Sequence, residues 1–180
     1  MAEMLIHDRA DIAIATEGIA GIDGIVALPG YQWQHVIAVQ PEHPLLSKKT
    51  LSLEDLAEYP IITYDKAFAG RTKIDKAFAS KNLQPDVVLE AIDADVIKTY
   101  VETGMGVGIV AGVAYDAERD RNLRVIPAGH LFGNNVTKVA IKQNAYLRSF
   151  VYTFIELFSP TLTRKLVEQS MAGENVDYQI

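Results

Sequence analysis

The chain has no cysteine, which removes disulfides, thiolate metal ligands and cysteine nucleophiles together. Its four histidines, His7, His35, His43 and His130, fall in none of the spacings by which imidazoles gather around a metal ion. No serine lies in the Gly-x-Ser-x-Gly elbow of the hydrolases. No apolar run is longer than a strand, so none would span a bilayer as a helix. The opening stretch carries Glu3, His7, Asp8 and Arg9 and lacks the apolar core of a signal peptide, which makes the cytoplasm the expected compartment. Lys and Arg total 17 against 23 acidic residues, a net charge of -6 with no basic block. Such a chain lacks the electrostatic footprint of a free-standing nucleic-acid binder. No catalytic set, metal site or cofactor motif is expected, and no membrane contact.

What is present is ample core-forming material. At 180 residues and 49% hydrophobic content, the chain can form one domain or two small lobes. AEMLIHDRAD reads as the end of a helix, and DIAIAT (11–16) is nearly continuous apolar sequence of the kind found in buried parallel strands. So abrupt an entry into a core strand suggests a piece of a longer chain; the other reading is that Met1 begins a small protein.

Further strands are expected at 25–28, ended by Pro29 and Gly30, and at 34–40, stopped by Pro41 and Pro44. Ser52 and Asp55 have capping-box spacing ahead of a short helix that Pro60 ends. A strand at 61–64 precedes an amphipathic helix at 70–80, with Ile74, Ala77 and Phe78 on one face. After a strand at 87–91, Asp93 caps a helix closed by Gly104. A strand at 107–110, a helix at 111–119, strands at 123–126 and 138–141, and a helical tail from Leu147 complete the pattern. The alternation predicts an α/β fold around a largely parallel sheet.

Candidate sites are few, and each has a plain structural alternative. TGMGVG (103–108) invites a nucleotide-loop reading, but it follows a helix and opens a strand, the reverse of a dinucleotide fingerprint. A helix C-cap with tight entry into a strand explains it better. FAGRT (68–72) sets Gly70 and Arg71 at a helix start just after a strand, where free N–H groups and the helix dipole favour an anion. Arg71 could add a charge-assisted bond there; the alternative is an ordinary loop with a solvated arginine. Thr16 and Thr63 lie at the carboxyl ends of strands, where open α/β sheets bind ligands, although threonines there often bond only their own loop. Trp33, the single tryptophan, is either a pocket wall or packing.

Taken in order, ADIAIATE, LPGYQW with HVIAVQPEHPL, YPIITY, FAGR, DADVIKTYVETGMGVGIV and YLRSFVYTFIELFSPTLTR resemble the effector domain of LysR-type transcription regulators, and within them the CysB and Cbl group. The resemblance covers nearly the whole chain. It implies a two-lobed α/β fold like the type II periplasmic binding proteins, with lobes joined by two crossover strands near 30–34 and 129–138. Lobe I would hold 1–30 and 138–172, without its first strands, lobe II 34–129, and 173–180 would be a polar tail. A small-molecule effector (sulfate, thiosulfate or an acetylserine) would bind between the lobes to Thr16, Trp33, Thr63, Ala69, Gly70 and Arg71. The group usually has FTGR, so Ala69 removes a hydroxyl expected to face the ligand, a loss of about 1–3 kcal/mol for a buried anion. The resemblance further implies a parent regulator of sulfur assimilation and cysteine biosynthesis. That parent would be a homodimer or tetramer and would reach promoter DNA through a helix-turn-helix that these residues lack. Without its lobe I neighbours, strand 11–16 would present an unpaired apolar edge. A stand-alone solute-binding protein of the same fold, or an enzyme on the same scaffold, are the competing readings.

Overall fold

Proline and aspartate bracket the strands in the middle of the chain, and the sheet there follows from that punctuation. The computed structural model describes residues 1–16, 18–174 and 176–178, apart from the side chain of Ala69. The chain divides into two compact units, Met1–Gln32 with Val136–Ile180, and Trp33–Asn135. Two strands, β2 (Ile25–Val39) and β7 (Asn134–Lys142), carry the chain from one unit into the other.

In the second unit the helix α2 (Leu53–Ala57) starts at Ser52 with a complete capping box. The Ser52 hydroxyl accepts from the Asp55 N–H at 3.1 Å, and the Asp55 carboxylate accepts from the Ser52 N–H at 3.0 Å. The short aspartate therefore does reach back as the glutamate of the usual motif would. Pro60 ends α2, β3 (Ile61–Tyr64) follows, and two crossovers build parallel neighbours for it. Helix α3 (Ala69–Ser80) leads to β4 (Val87–Ala91), and α4 (Ala94–Glu102), capped by Asp93, leads to β5 (Val107–Ala111). The order is β2-β5-β3-β4, with β6 (Arg124–Pro127) on the free side of β2. Alternation along each strand splits the core between the two faces. Ile37, Ile61 and Ile109 pack with Ile74 and Phe78 of α3, while Ala38, Ile62 and Val110 pack with Ile97 and Val101 of α4.

The first unit stacks α6 (Ser149–Phe158) and α7 (Arg164–Met171) against β7 and the first half of β2. Leu28, Val139 and Ile141 meet Val151, Ile155 and Val167 there. Helix α1 (Ala2–Ile6) buries Leu5 against Ala15 and Ala140. No helix among the described residues is long and apolar enough to cross a membrane.

Five local expectations are corrected. The sheet is mixed: β3 is parallel to β4 and β5, but β2 runs antiparallel to β5 and β6, because β2 is the connecting strand and not part of a crossover. Strand β1 (Ile12–Ala15) is antiparallel to β7 and lies at the end of the strand order, so Ile14 stays 39% exposed rather than buried. Pro29 does not end a strand, since its fixed φ suits extended backbone and costs only one donor. β2 runs through it, and at Gly30 a Cβ would sit 2.8 Å from the Phe158 ring and 3.1 Å from the Thr137 carbonyl. The expected helix at 111–119 is a single tight turn, Gly112–Ala114. Asp116 Oδ1 accepts from the N–H of Glu118, and Asp120 Oδ2 from that of Asp116, offering the backbone partners that compete with a helix. The second crossover strand, expected near 129–138, begins only at Asn134 as β7, and a one-turn helix α5 (Gly129–Phe132) precedes it.

Candidate functional site

The FAGR segment builds the amino end of α3. After β3 the chain turns on Asp65, whose side chain accepts from the Ala67 N–H at 2.8 Å, and Phe68 becomes the N-cap. Phenylalanine has no group with which to cap, so the N-cap side chain makes no bond at this helix start. An uncapped amino end concentrates donors and positive potential. Gly70 brings it close to β2: a Cβ there would lie 3.1 Å from His35 Nε2 and 3.5 Å from Trp33 Cη2. Trp33 and His35, two apart on β2, point to the same face and meet edge to face with centroids 5.0 Å apart.

The other expected residues have different surroundings. Thr63 is fully buried, and its hydroxyl donates to the Ile109 carbonyl at 3.2 Å. Arg71 is 3% exposed, which excludes the solvated arginine. Its Nε donates to Asp75 at 2.7 Å, and its Nη1 donates to the Tyr64 carbonyl and to Glu90, each at 2.8 Å. Burial opposes the charge of Arg71, and the bonds to Asp75 and Glu90 more than offset that, raising its pKa. Arg71 thus ties the start of α3 to β3 and β4. Thr16 lies half-buried just past β1, in the first unit. The Ala69 side chain lies outside the described residues.

Two buried polar residues not singled out as site candidates in the sequence join Trp33 and Gly70. His35 is fully buried on β2, and burial with the nearby Lys73 charge lowers its pKa to about 4, so the ring is neutral at pH 7. Its Nδ1 lies 3.5 Å from the amide nitrogen of Asn135, which is also fully buried. His35 Nε2 and Asn135 Oδ1 are the buried side-chain atoms without a hydrogen-bond partner among the described residues. A histidine within the apolar run HVIAV, two residues from the single tryptophan, was the available signal. Among the described residues, no group of three or more His, Asp or Glu side chains could hold a metal ion.

A mixed sheet flanked by helices, two connecting strands and an uncapped helix start beside an aromatic wall have the make-up of a small-ligand-binding domain. The chain belongs to the LysR substrate binding domain family, matched over residues 1–163, and has that family's mixed α/β fold of the type II periplasmic-binding-protein kind. It is similar to the HTH-type transcriptional regulator CysB of Burkholderia cenocepacia, 63% identical over 180 residues, covering 100% of this chain and 58% of that protein. The regulator cbl of Escherichia coli (strain K12) is 39% identical over 185 residues, with the same coverage. The chain thus spans a little under three fifths of the curated relatives it matches. A crystal structure of the cofactor-binding domain of the Cbl transcriptional regulator superposes with TM-score 0.86 at 38% identity, covering 94% of this chain and 75% of that one. The effector binding domain of QuiR in complex with shikimate, at TM-score 0.73 and 21% identity, shares the fold.

Proposed function

We propose that this chain is the effector-sensing part of a cytoplasmic, DNA-binding regulator of sulfur assimilation and cysteine biosynthesis. Its effector is a small oxyanion, sulfate or thiosulfate, or an acetylserine. Trp33 and Gly70 contact the effector, and Thr63 and Arg71 hold the turn that presents the helix start. Promoter DNA is reached through a helix-turn-helix like that of the HTH-type relatives, in a homodimer or tetramer. Ligand binding then biases DNA affinity by favouring one conformation of the regulator.

The observation that carries this reading is the start of α3, a twelve-residue helix whose N-cap offers no side-chain bond and whose second residue is a glycine against Trp33. Backbone N–H groups and the dipole suit an oxyanion because they donate without a full counter-charge. The likeness to CysB and cbl supports sulfur metabolism as the setting.

Calorimetric titration of the chain with sulfate, thiosulfate, O-acetylserine and N-acetylserine tests it. Saturable binding of at least one, weakened by Gly70→Val, is the expected result; no heat from any at millimolar concentration would sink the effector reading. A gel shift with promoter DNA at physiological salt should show no binding by these 180 residues.

A further inference from the structure

We propose that His35 is a specificity-determining residue of this effector site, a neutral Nε2–H donor that an oxyanion oxygen completes and that a ligand presenting only a donor at that point leaves unpaired. The inference rests on the effector reading and names the chemistry the site selects.

Three observations converge on the ring. It is fully buried on a strand whose neighbours are apolar, yet Nε2 has no partner among the described residues. Natural proteins satisfy the large majority of such buried side-chain polar atoms, so the exception calls for a cause. Nε2 also faces the uncapped start of α3, since the missing Cβ of Gly70 is what lets the ring edge stand against the first turn. Finally, the second unsatisfied atom, Asn135 Oδ1, belongs to the residue that faces the other ring nitrogen.

The tautomer follows from the Asn135 contact. Its Nδ2 faces His35 Nδ1, which makes Nδ1 the acceptor and leaves the single proton of the neutral ring on Nε2. Reversing the amide would put the proton on Nδ1 and still leave one ring nitrogen and one amide atom without a partner. An anion at α3 removes that ambiguity, because it pairs only with Nε2–H. The Trp33 ring edge packs on His35 beside the same glycine, so the ligand reaches Nε2 as the indole moves aside. Burial, and after it the positive charge of Lys73, hold the ring neutral before the anion arrives.

The test uses sulfate and the intact chain. Nitrogen-15 NMR of the unaltered protein should find His35 as the Nε2–H tautomer, with that nitrogen shifting as sulfate saturates. Fluorescence of Trp33, the single tryptophan, should change over the same titration. His35→Gln, which can place an amide N–H where Nε2 stood, should keep sulfate affinity within about threefold, whereas His35→Leu should lose about tenfold or more. Sulfate-free H35L exchanges the unsatisfied Nε2 for an Asn135 amide without its ring partner, so its unfolding midpoint should stay close to that of the unaltered chain. A ring protonated on Nδ1 in the sulfate complex, an unmoved Nε2, or equal affinity in H35L would each overturn the inference while leaving the effector reading standing. Loss of stability in H35L parallel to its loss of affinity would assign His35 a structural role and overturn it too. Absence of sulfate binding to the unaltered chain removes the effector reading, and the inference with it.

Discussion

His35 titrates far from its ordinary range, and the direction sets how acid acts on the fold. Its pKa is lowered from 6.5 to about 4 by burial and then by the Lys73 charge. Between those values the unfolded chain binds a proton that the native ring refuses, so stability is complete above pH 6.5 and falls as the pH drops towards 4. The shift corresponds to about 3 kcal/mol. Urea unfolding at pH 7 and pH 4.5 should show this slope in the unaltered chain and a flatter one in His35→Leu; equal slopes would refute it. Lys98 makes the complementary case. Its ammonium is buried and donates to Asp120 and to the Ala114 carbonyl, each at 2.9 Å, pinning the 112–120 loop to α4. Lys98→Met leaves the Asp120 carboxylate without its cation and should cost about 2 kcal/mol, read as a lower urea midpoint at unchanged slope. Sequence reasoning reached Gly70 and Arg71 because a glycine and an arginine after a strand are a visible pattern. It placed no role on His35 or on Lys98, because a lone buried charge or imidazole in an apolar run has no spacing to betray its partner 100 or 22 residues away.

Element boundaries were legible wherever a residue type acts on its own backbone. β3 and β4 begin and end where expected because Pro60 and Asp93 act locally, and the capping box at Ser52 is likewise a four-residue matter. Strand direction and continuity were not legible, since they depend on partners far along the chain, as with β1 against β7 and β2 through Pro29. TGMGVG shows a local reading that tertiary structure then tightens. Gly104 closes α4 with φ +81°, as a C-cap glycine should, but Gly106 is held by a neighbour that no local rule names. A Cβ at Gly106 would lie 2.3 Å from the Pro60 carbonyl oxygen, in backbone that must stay put because that oxygen accepts from the Val107 N–H at 2.9 Å. Gly106→Ala should therefore cost about 2 kcal/mol or more through displacement of β5 from β3, whereas Gly173→Asn, in open space just past the C-cap of α7 with φ +78°, should cost far less. Thermal unfolding of the two variants separates packing from conformational freedom, and equal losses would count against the close contact.

At the scale of the whole molecule, the two units differ in how the chain supplies them. Trp33–Asn135 is one continuous segment, and both clusters that flank its sheet are drawn from within it. The other unit needs both ends of the chain, Met1–Gln32 and Val136–Ile180, to assemble Leu28 and Val139 with Val151, Ile155 and Val167. Continuity matters because a segment carrying its own core faces only its own chain entropy, while a divided unit must also close the loop between its parts. Residues 33–135 expressed alone should thus give a cooperative urea transition and protected amides in β3 and β5, the central strands. They should also keep the edge-to-face contact of Trp33 with His35, seen as native-like tryptophan emission, because β2 from Trp33 onward pairs with β5 and β6 inside the same segment. The separate segments 1–32 and 136–180 should remain unfolded apart, each lacking half of its core. A disordered 33–135 segment would mean that its two clusters do not suffice to hold the sheet.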